Sequence, residues 1–454
     1  MKVIADLTQL DLQQPTVLTI GAFDGVHRGH QALIGAVVDR ARETNRLAVL
    51  ITFHPHPAAV LAPERAPRYL TTPGEKVAIL ERLGLDIVVL WPFDRRLAST
   101  PAREFMQQVC RHLRPAELWI GADFALGRKR EGDVHCLREL GRELGYETHV
   151  VEPVVLDGGP VSSTRIRALL RQGRVREATR LLGRYPRLSG EVVPGAGRGH
   201  ALGYPTANLE VRAERAVPAD GVYATFAVLG SERYPALTNV GLRPSFDSGR
   251  HTIETHILDF EQGLYGCDLV VEFVDRLRDE QRFEDPDQLA AQIERDIAAA
   301  REILRREQPP PSEQEPVGCC TYRYREVEHT ADRALYVWGA RLPDLWVGAA
   351  RGMYSLMADL DDLAPVEWRE VYLQAEDRET LLVDWLNELL YLTESEGLLF
   401  VHFDIQTLDE GSLLARVGGS RAPITKAEIK AATFHDLALV EQDGGWSTVI
   451  TFDV

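Results

Sequence analysis

The chain has 454 residues, of which 45% are hydrophobic and 26% are charged, and its formal net charge is −17. This length and composition exclude a disordered or fibrous chain and predict two to four globular domains. The five cysteines match no zinc spacing or disulfide framework, and no apolar run is long enough to cross a bilayer. The first fifteen residues carry acids where a signal peptide would be basic, so we expect a cytoplasmic protein without a membrane partner.

Up to about residue 185, short apolar runs alternate with helical patterns such as HQALIGAVVDRARE. The runs have the composition of buried parallel strands, and they are VLTIGAF, LAVLITF, DIVVLWPF, ELWIGADF and THVVEPVVL. This βαβ series predicts a doubly wound α/β domain over residues 1–185.

The turn after the first run contains H-x-G-H, with His27 and His30 at the start of a predicted helix. Domains of this class bind ligands at the carboxyl edge of the sheet, and a helix N-terminus favours anions. Two imidazoles there can donate hydrogen bonds to phosphate oxygens in a transition state. Two alternatives stay open, namely histidines that only cap the helix and a zinc site that also includes His54 and His56.

A second polar motif, VSSTRIR, lies between the last apolar run and the next helical pattern. Ser162 and Ser163 are residue types that cap helices, and the guanidinium groups of Arg165 and Arg167 suit phosphate. An ordinary helix start explains the serines equally well, but it does not explain the two arginines.

Residues 186–306 consist of short strands punctuated by glycine and proline, such as GVYATFAVL, TIETHILDF and DLVVEFVDRL. This pattern of short strands predicts a small Greek-key β-barrel. An amphipathic helix with Pro286 near its first turn follows it. Thr252, Glu254 and His256 occupy alternate positions in one predicted strand, so the Glu254 side chain can face the barrel interior together with theirs. A solvent-facing glutamate is the alternative.

A glycine loop comes early in this segment. Gly195, Gly197 and Gly199 occupy alternate positions, which lets backbone amides approach phosphate, although a plain hairpin connection also explains them. Thr206 and Asn208 follow in the motif P-T-A-N, and their side-chain oxygens are hard ligands that suit Mg²⁺.

The stretch EQPPPSEQEPVG, residues 307–318, predicts a linker because it is rich in proline and acids. After it, residues 319–454 contain their own strands and a helix with one apolar stripe, which predicts an α+β domain. From Gly318 onward there are 11 Lys and Arg against 24 Asp and Glu, a net charge of −13. This charge argues against nucleic acid as a direct ligand. The stripe consists of Leu381, Leu382, Trp385, Leu386, Leu389 and Leu390.

Four motifs together resemble the FMN adenylyltransferase half of the bacterial bifunctional riboflavin kinase/FAD synthetase family. They are G-x-F-D-G-V-H-R-G-H, TFHPHP, G-x-D-F-x-x-G-R-K-R-E-G-D and S-S-T-R-I-R. The family often has an acid where this chain has His54. The resemblance implies catalysis by His27 and His30 and a flavin near Asp123 and Phe124. The ATP-binding residues that it implies are Gly21, Phe23, Asp24, His27, His30, Ser163, Thr164 and Arg167.

The motifs DGVYA, TNVGLRPSF and IETHILDF resemble the riboflavin kinase domain of the same family. This resemblance implies that Glu254 is the general base for the ribityl hydroxyl of the flavin. The ligands that it implies are Gly195, Gly197 and Gly199 for ATP, Thr206 and Asn208 for Mg²⁺, and Asn239 and Arg243 for the flavin.

Segments including YREVEHTADRALYVWG resemble archease over nearly all of residues 319–454. Archeases assist the RNA ligase that joins 2′,3′-cyclic phosphate ends in tRNA splicing or repair, so this ligase is the implied protein partner. Asp332, Asp453 and the C-terminal Val454 are the implied ligands of Ca²⁺ or another divalent cation. Arg333 stands where the family has an apolar residue and puts a cation beside this site.

The resemblances together imply an ATP-dependent bifunctional enzyme that phosphorylates riboflavin to FMN and adenylylates FMN to FAD. They add an archease-like module that activates an RNA ligase. Two alternatives stay open. The third segment could be a passive structural or scaffolding appendage, or the first domain could be another H-x-G-H nucleotidyltransferase of the pantetheine-phosphate or nicotinate type. The P-T-A-N barrel that follows disfavours the second.

Overall fold

The computed structural model describes two compact units, Met1–Ala168 with Arg180–Gly183, and Leu169–Thr179 with Arg184–Val454. It describes residues 1–307 and 322–454 except 194, 196–202, 231, 243–250, 261–263, 265, 282, 284, 328–332, 340, 361–362, 364, 434–436 and 443–444. The predicted linker therefore lies outside the described residues apart from Glu307. Within the described part of the chain, no helix is both long and apolar enough to span a membrane.

The first unit is built on a six-stranded parallel sheet. Its strands are β1 (Lys2–Ile4), β2 (Thr16–Ile20), β3 (Leu47–His54), β4 (Ile87–Pro92), β5 (Pro115–Gly121) and β6 (Glu147–Val151). Their spatial order is β1-β4-β3-β2-β5-β6, and every neighbouring pair is parallel. The order reverses at β2, so the carboxyl end of β2 lies at the switch point where such sheets bind ligands. The predicted doubly wound sheet is confirmed, and β1 is an edge strand that the sequence analysis missed.

Helices cover both faces of this sheet. Phe105 and Met106 belong to a buried cluster on one face, and Ile34 and Leu80 belong to a separate cluster on the other. The short strands β7 (Val155–Leu156) and β8 (Gly159–Pro160) form a hairpin. The helices up to residue 182 are α1 (Arg28–Glu43), α2 (Pro57–Leu61), α3 (Pro73–Arg82), α4 (Arg95–Ser99), α5 (Ala102–Leu113), α6 (Val134–Leu144), α7 (Ser163–Arg171) and α8 (Val175–Leu182), with 3-10 turns at Leu7–Gln9, Pro63–Arg65 and Arg128–Arg130.

The second unit begins with a closed antiparallel barrel, which confirms the predicted barrel. Its strands are β9 (Arg187–Val193), β10 (Ala207–Glu210), β11 (Gly221–Leu229), β12 (Glu232–Leu242), β13 (His251–Ile257) and β14 (Asp268–Arg278). They close in the order β10-β13-β12-β11-β14-β9. Inside the barrel, the buried hydroxyls of Thr225, Thr238 and Thr255 form a chain with O–O distances of 2.8 and 3.0 Å. Helix α9 (Pro286–Arg306) packs outside, against β11 and β12.

The C-terminal part has the predicted α+β architecture. Its helices are α10 (Leu342–Met357) and α11 (Arg378–Glu396). The six residues of the predicted apolar stripe lie on α11 and are at most 7% exposed, so this stripe is confirmed as core. One sheet has the order β15-β16-β22-β20 with β21 paired to β22, and the other has the order β17-β19-β18. The strands are β15 (Tyr322–Val327), β16 (Arg333–Gly339), β17 (Glu367–Gln374), β18 (Leu399–Leu408), β19 (Ser412–Ser420), β20 (Ala431–Thr433), β21 (Val440–Gln442) and β22 (Gly445–Asp453).

Candidate functional site

The H-x-G-H turn joins β2 to α1 at the switch point of the sheet. His27 is the N-cap of α1, and its Nδ1 accepts a hydrogen bond from the backbone N–H of His30 at 3.3 Å. Because Nδ1 accepts, a neutral His27 carries its proton on Nε2. The two imidazole rings stack with their centroids 3.6 Å apart, and Phe23 contacts His30 edge-on. A side chain at Gly29 would begin 3.3 Å from the His27 ring, so glycine permits this close stacking.

Asp24 lies beneath the turn and is only 3% exposed. Its carboxylate accepts hydrogen bonds from the backbone N–H groups of Leu70 and Thr71 and pairs with Arg167, with Nη2 and Oδ2 2.5 Å apart. The backbone oxygen of Asp24 accepts a hydrogen bond from Ser163 Oγ at 2.9 Å. The turn and the VSSTRIR motif, 139 residues apart at this contact, therefore meet at Asp24.

The two arginines of VSSTRIR have different surroundings. Arg167 also donates through Nε to the backbone oxygen of Arg68 at 2.7 Å. Arg165 donates to the backbone oxygens of Leu156 and Gly159, at 2.8 and 2.9 Å, and so closes the β7–β8 hairpin. The expectation that both arginines reach phosphate is therefore wrong for Arg165, because the hairpin occupies its guanidinium group.

The serines and threonine of this motif begin α7. Ser162 Oγ accepts a hydrogen bond from the backbone N–H of Arg165 at 3.2 Å, which confirms the predicted cap. Thr164 is exposed in the first turn of the helix. Its position at a second helix N-terminus in the same unit suits an anion.

Lys76 is a buried cation that the sequence analysis missed. It lies on α3, is 6% exposed, and its Nζ donates to the backbone oxygen of Ala22 at 2.9 Å and to Thr52 Oγ1 at 3.3 Å. Burial lowers its pKa to about 8, although the nearby Asp24 opposes this shift. The capping box of Thr72 and Glu75 marks the start of α3 in the sequence, but a lysine in a short helical pattern is normally assigned to the surface.

The described structure does not group the histidines of TFHPHP with His27 and His30 as metal ligands. His56 caps α2, since its Nδ1 accepts a hydrogen bond from the backbone N–H of Ala58 at 3.1 Å, and burial lowers its pKa. No group of three or more His, Cys, Asp or Glu side chains among the described residues is placed to hold a metal ion. The zinc site of His27, His30, His54 and His56 is therefore wrong.

Asp123 and Phe124 lie in the turn directly after β5. Strand β5 is the parallel neighbour of β2, so this turn and the Gly21 turn after β2 lie at the same edge of the sheet. Asp123 is exposed and Phe124 is half-buried. The structure therefore brings both predicted flavin contacts to the edge that carries H-x-G-H.

In the barrel, three predicted site residues form one row across β10, β13 and β12. Glu254 is the register partner of Asn208 on one side and of Asn239 on the other. Directly paired residues project from the same face of a sheet. The neighbours of Glu254 in the chain, Ile253 and Thr255, are the buried interior residues, so this row lies on the outer face. The expectation that Glu254 faces the barrel interior is wrong.

The predicted ATP and magnesium residues adjoin this row. A side chain at Gly195 would begin 2.1 Å from Asn208 Nδ2, so only glycine permits the present contact between the two residues. His256 Nδ1 lies 2.8 Å from the backbone oxygen of Pro205, which ties the P-T-A-N segment to β13. Thr206 is half-buried and directly precedes β10. Its hydroxyl and the Asn208 amide oxygen are hard ligands, which fit Mg²⁺. Gly197, Gly199 and Arg243 lie outside the described residues.

The predicted cation site of the C-terminal part is not assembled by the described residues. Asp453 and Val454 are exposed at the end of β22, but the backbone oxygen of Val454 already accepts a hydrogen bond from Lys430 Nζ at 3.1 Å. Asp332 lies outside the described residues. Its neighbour Arg333 pairs with Phe452 in the β16–β22 ladder and forms an ion pair with Glu326 at 3.2 Å.

Three protein-family models match successive parts of the chain. The FAD synthetase model matches residues 9–165, the riboflavin kinase model matches residues 182–304, and the archease model matches residues 324–454. Among solved structures, the macrolide-efflux protein from Streptococcus pneumoniae is 32% identical with a TM-score of 0.61, and the match covers 67% of this chain and 99% of that one.

Curated relatives cover the first two of these regions. The bifunctional riboflavin kinase/FMN adenylyltransferase of Escherichia coli strain K12 is 38% identical over 308 residues, which are 67% of this chain and 98% of the relative. The enzyme of the same name from Bacillus subtilis strain 168 is 34% identical over 289 residues, covering 63% and 91%. The chain therefore belongs to the bifunctional riboflavin kinase/FMN adenylyltransferase family of enzymes, and an archease domain forms its C-terminal part.

Proposed function

We propose that the chain carries out the two reactions of its family at two separate sites in the cytoplasm. The H-x-G-H turn adenylylates FMN, and the outer face of the barrel phosphorylates riboflavin, each with ATP as the donor. The observation that supports this assignment is that motifs distant in sequence meet in each half, at Asp24 in the first unit and around Glu254 in the barrel. We also propose that the two catalytic domains end at residues 185 and 306, and that the archease domain begins after a linker that ends at residue 318.

In the adenylylation reaction, a phosphate oxygen of FMN attacks the α-phosphorus of ATP and pyrophosphate leaves. The protein forms no covalent bond in this step, so catalysis consists of positioning and charge stabilisation. His27 and His30 donate hydrogen bonds to the phosphate oxygens at the N-terminus of α1, where the helix dipole also favours the growing negative charge. The Asp24–Arg167 pair and Ser163 hold this turn in place, and Thr164 adds a donor from the start of α7.

The flavin of this reaction lies at the same sheet edge, beside Asp123 and Phe124. Phe124 offers a half-buried ring against which the isoalloxazine can pack. Gly21 leaves room for the Phe23 ring, which would lie 3.0 Å from a Cβ at position 21. Phe23 contacts the edge of His30 and so orients this imidazole toward the phosphates.

In the kinase reaction, Glu254 takes the proton of the terminal ribityl hydroxyl, whose oxygen then attacks the γ-phosphorus of ATP while ADP leaves. Asn239, beside Glu254 in the row, and Arg243 bind the flavin. The glycine loop of Gly195, Gly197 and Gly199 approaches the ATP phosphates. Thr206 and Asn208 would hold Mg²⁺, which would neutralise phosphate charge at this site.

The two sites can be tested separately in one polypeptide. Glu254→Gln is expected to abolish FMN formation from riboflavin while added FMN is still converted to FAD. His30→Ala is expected to stop the pathway at FMN. Loss of both reactions in a folded Glu254→Gln chain would contradict separate sites, and FAD formation at the parent rate by His30→Ala would contradict the role of the H-x-G-H turn.

We also propose that the archease domain assists an RNA ligase of the cyclic-phosphate type in forming its guanylylated intermediate. The archease family match and the net charge of −13 after residue 318 support a basic, nucleic-acid-handling protein as the partner. The test follows guanylylation of the organism's own ligase with GTP and a divalent metal, with and without this chain. Stimulation that Asp332→Ala or Asp453→Ala removes would support an active domain with a metal site at these carboxylates. No stimulation at any ratio would favour the passive appendage.

A further inference from the structure

Three carboxylates form a row across the outer face of the barrel. Glu191 of β9 is the register partner of Glu210 on β10 and of Asp268 on β14. The residues beside them in the chain, Val192 and Leu269, are buried in the interior, so the carboxylates project outward. Like charges placed directly opposite each other destabilise a strand pair. We call Glu210, Glu191 and Asp268 the acidic row.

The archease domain places a cation at one end of this row. Arg351 of α10 forms an ion pair with Asp268, with Nη2 and Oδ2 3.0 Å apart. A second ion pair has the opposite polarity, because Arg212 follows β10 of the barrel and Asp359 follows α10, and their Nη2 and Oδ1 are 2.5 Å apart. Each domain thus supplies the arginine of one ion pair and the aspartate of the other. Both pairs form together in one orientation of the archease domain on the barrel.

Backbone packing closes the junction beside these pairs. A side chain at Gly266, which precedes β14, would begin 2.2 Å from the backbone oxygen of Tyr324 on β15. The neighbouring Cys267 Sγ lies 3.8 Å from the backbone oxygen of Tyr322. Gly266, Cys267 and Tyr324 are all buried. A cavity of about 420 Å³ remains between the domains, and charged residues of both partners line it.

The acidic row lies next to the proposed kinase site. Asn208 and Glu210 are two residues apart on β10 and project from the same outer face. At about 3.3 Å per residue, their Cα atoms are separated by roughly 7 Å. Their partners on β9 are Val193 and Glu191, and Val193 comes two residues before Gly195. A change in the β9–β10 pairing at the acidic row would therefore move Gly195 against Asn208.

We propose that the archease domain docks on the barrel through Arg351 at β14 and through Asp359 beside the end of β10, and that these contacts hold the β9–β10 pair in the geometry that the kinase site needs for Mg-ATP. The inference rests on the kinase site proposed above. The docked partner is this chain's own C-terminal domain, and the consequence is that riboflavin phosphorylation, but not FMN adenylylation, depends on that domain.

The test uses the full chain with Arg351→Glu, which adds a fourth acid to the row. The KM for ATP in riboflavin phosphorylation is expected to rise about fivefold or more, the lower end of coupling between protein sites. FMN adenylylation by the same molecules is expected to be unchanged. The charge swap Arg351→Asp with Asp268→Arg is expected to restore the KM. Asp359→Arg, at a side chain that is 64% exposed, tests the second ion pair with little risk to folding.

The matched control is Arg421→Glu, which makes the same charge change at an ion pair inside the archease domain, with Glu367. Hydrogen exchange of residues 264–270 and 322–327 is expected to increase in Arg351→Glu and not in the control. A kinase KM within twofold of the parent in both Arg351→Glu and Asp359→Arg, or an equal rise in Arg421→Glu, would overturn the proposal. A kinase-active Glu254→Gln chain would instead contradict the site assignment, whatever Arg351→Glu does.

Discussion

Asp24 and Arg167 form a buried ion pair, with Nη2 and Oδ2 2.5 Å apart, that joins the turn after β2 to helix α7. Asp24 also accepts hydrogen bonds from the backbone of Leu70 and Thr71. One carboxylate thus holds three separate segments around the proposed nucleotide site. These contacts tie the H-x-G-H turn to both of the other segments.

Asp24→Asn should destabilise the first unit and slow adenylylation together. Removing one partner of a buried pair leaves the other charge uncompensated, which costs about 3–5 kcal/mol of unfolding free energy. Urea unfolding of the first unit, followed in parallel with FAD formation from FMN, measures both effects. The exposed Asp39→Asn is the control. A loss below about 1 kcal/mol would contradict the importance of the pair.

His27→Asn separates helix capping from phosphate chemistry. Asparagine is a good N-cap, so the stability of the chain should change by less than about 0.5 kcal/mol. It lacks the imidazole donor, so the rate of FAD formation should fall on the order of 10²–10³. Steady-state kinetics with FMN and ATP, together with a thermal unfolding curve, distinguish the two roles. Full activity in His27→Asn would show that the histidine is only a cap.

The burial of Lys76 should make the free energy of unfolding depend on pH in a specific direction. The pKa of Lys76 falls from an ordinary 10.5 to about 8 on folding, so the unfolded chain binds the proton more tightly. The free-energy cost of burying the charged ammonium is fully present below about pH 8. The free energy of unfolding therefore rises as the pH increases from about 8 to 10.5. The gain is roughly 3 kcal/mol.

The measurement compares the parent with Lys76→Met, which cannot titrate. The stability difference between them should change by that amount across this pH range, in favour of the parent at high pH. Tyrosines and cysteines titrate there too, but equally in both chains. If the free energies of unfolding of the two chains changed in parallel with pH, the burial of the Lys76 ammonium would not destabilise the fold.

Gly195→Ala should impair the kinase reaction alone. The new Cβ would begin 2.1 Å from Asn208 Nδ2 and would displace this amide from the proposed magnesium site. A displacement of about 1 Å can cost on the order of 10² in rate, so FMN formation should fall by at least tenfold while FAD formation from FMN persists. Gly74→Ala is the control, since open space surrounds that glycine. Equal kinase rates in both variants would contradict the role of Gly195.

Much of the fold follows from local patterns. The runs that predict β2 to β6, the barrel strands β11, β13 and β14, and the buried stripe of α11 are all present in the structure. Motif spacing also located H-x-G-H at the carboxyl end of a strand. These features depend on backbone periodicity and on turn residues, which act over a few positions.

Other features depend on what surrounds each side chain. Arg165 and Arg167 are two residues apart, yet one closes a hairpin and the other meets Asp24. Lys76 is buried because Ala22 and Thr52 supply acceptors from other elements. No local pattern contains these partners, so neither the burial of Lys76 nor the position of Arg165 in the hairpin could be predicted from the sequence.

Glu254 shows what the sequence determines and what only the tertiary structure determines. The sequence by itself determined that Glu254 shares one face of its strand with Thr252 and His256, opposite Ile253 and Thr255, because successive side chains of any strand point to opposite faces. Only the tertiary structure decided which face is inside. Closure of the barrel buried Thr225, Thr238 and Thr255 together and left Glu254 outside, in line with Asn208 and Asn239.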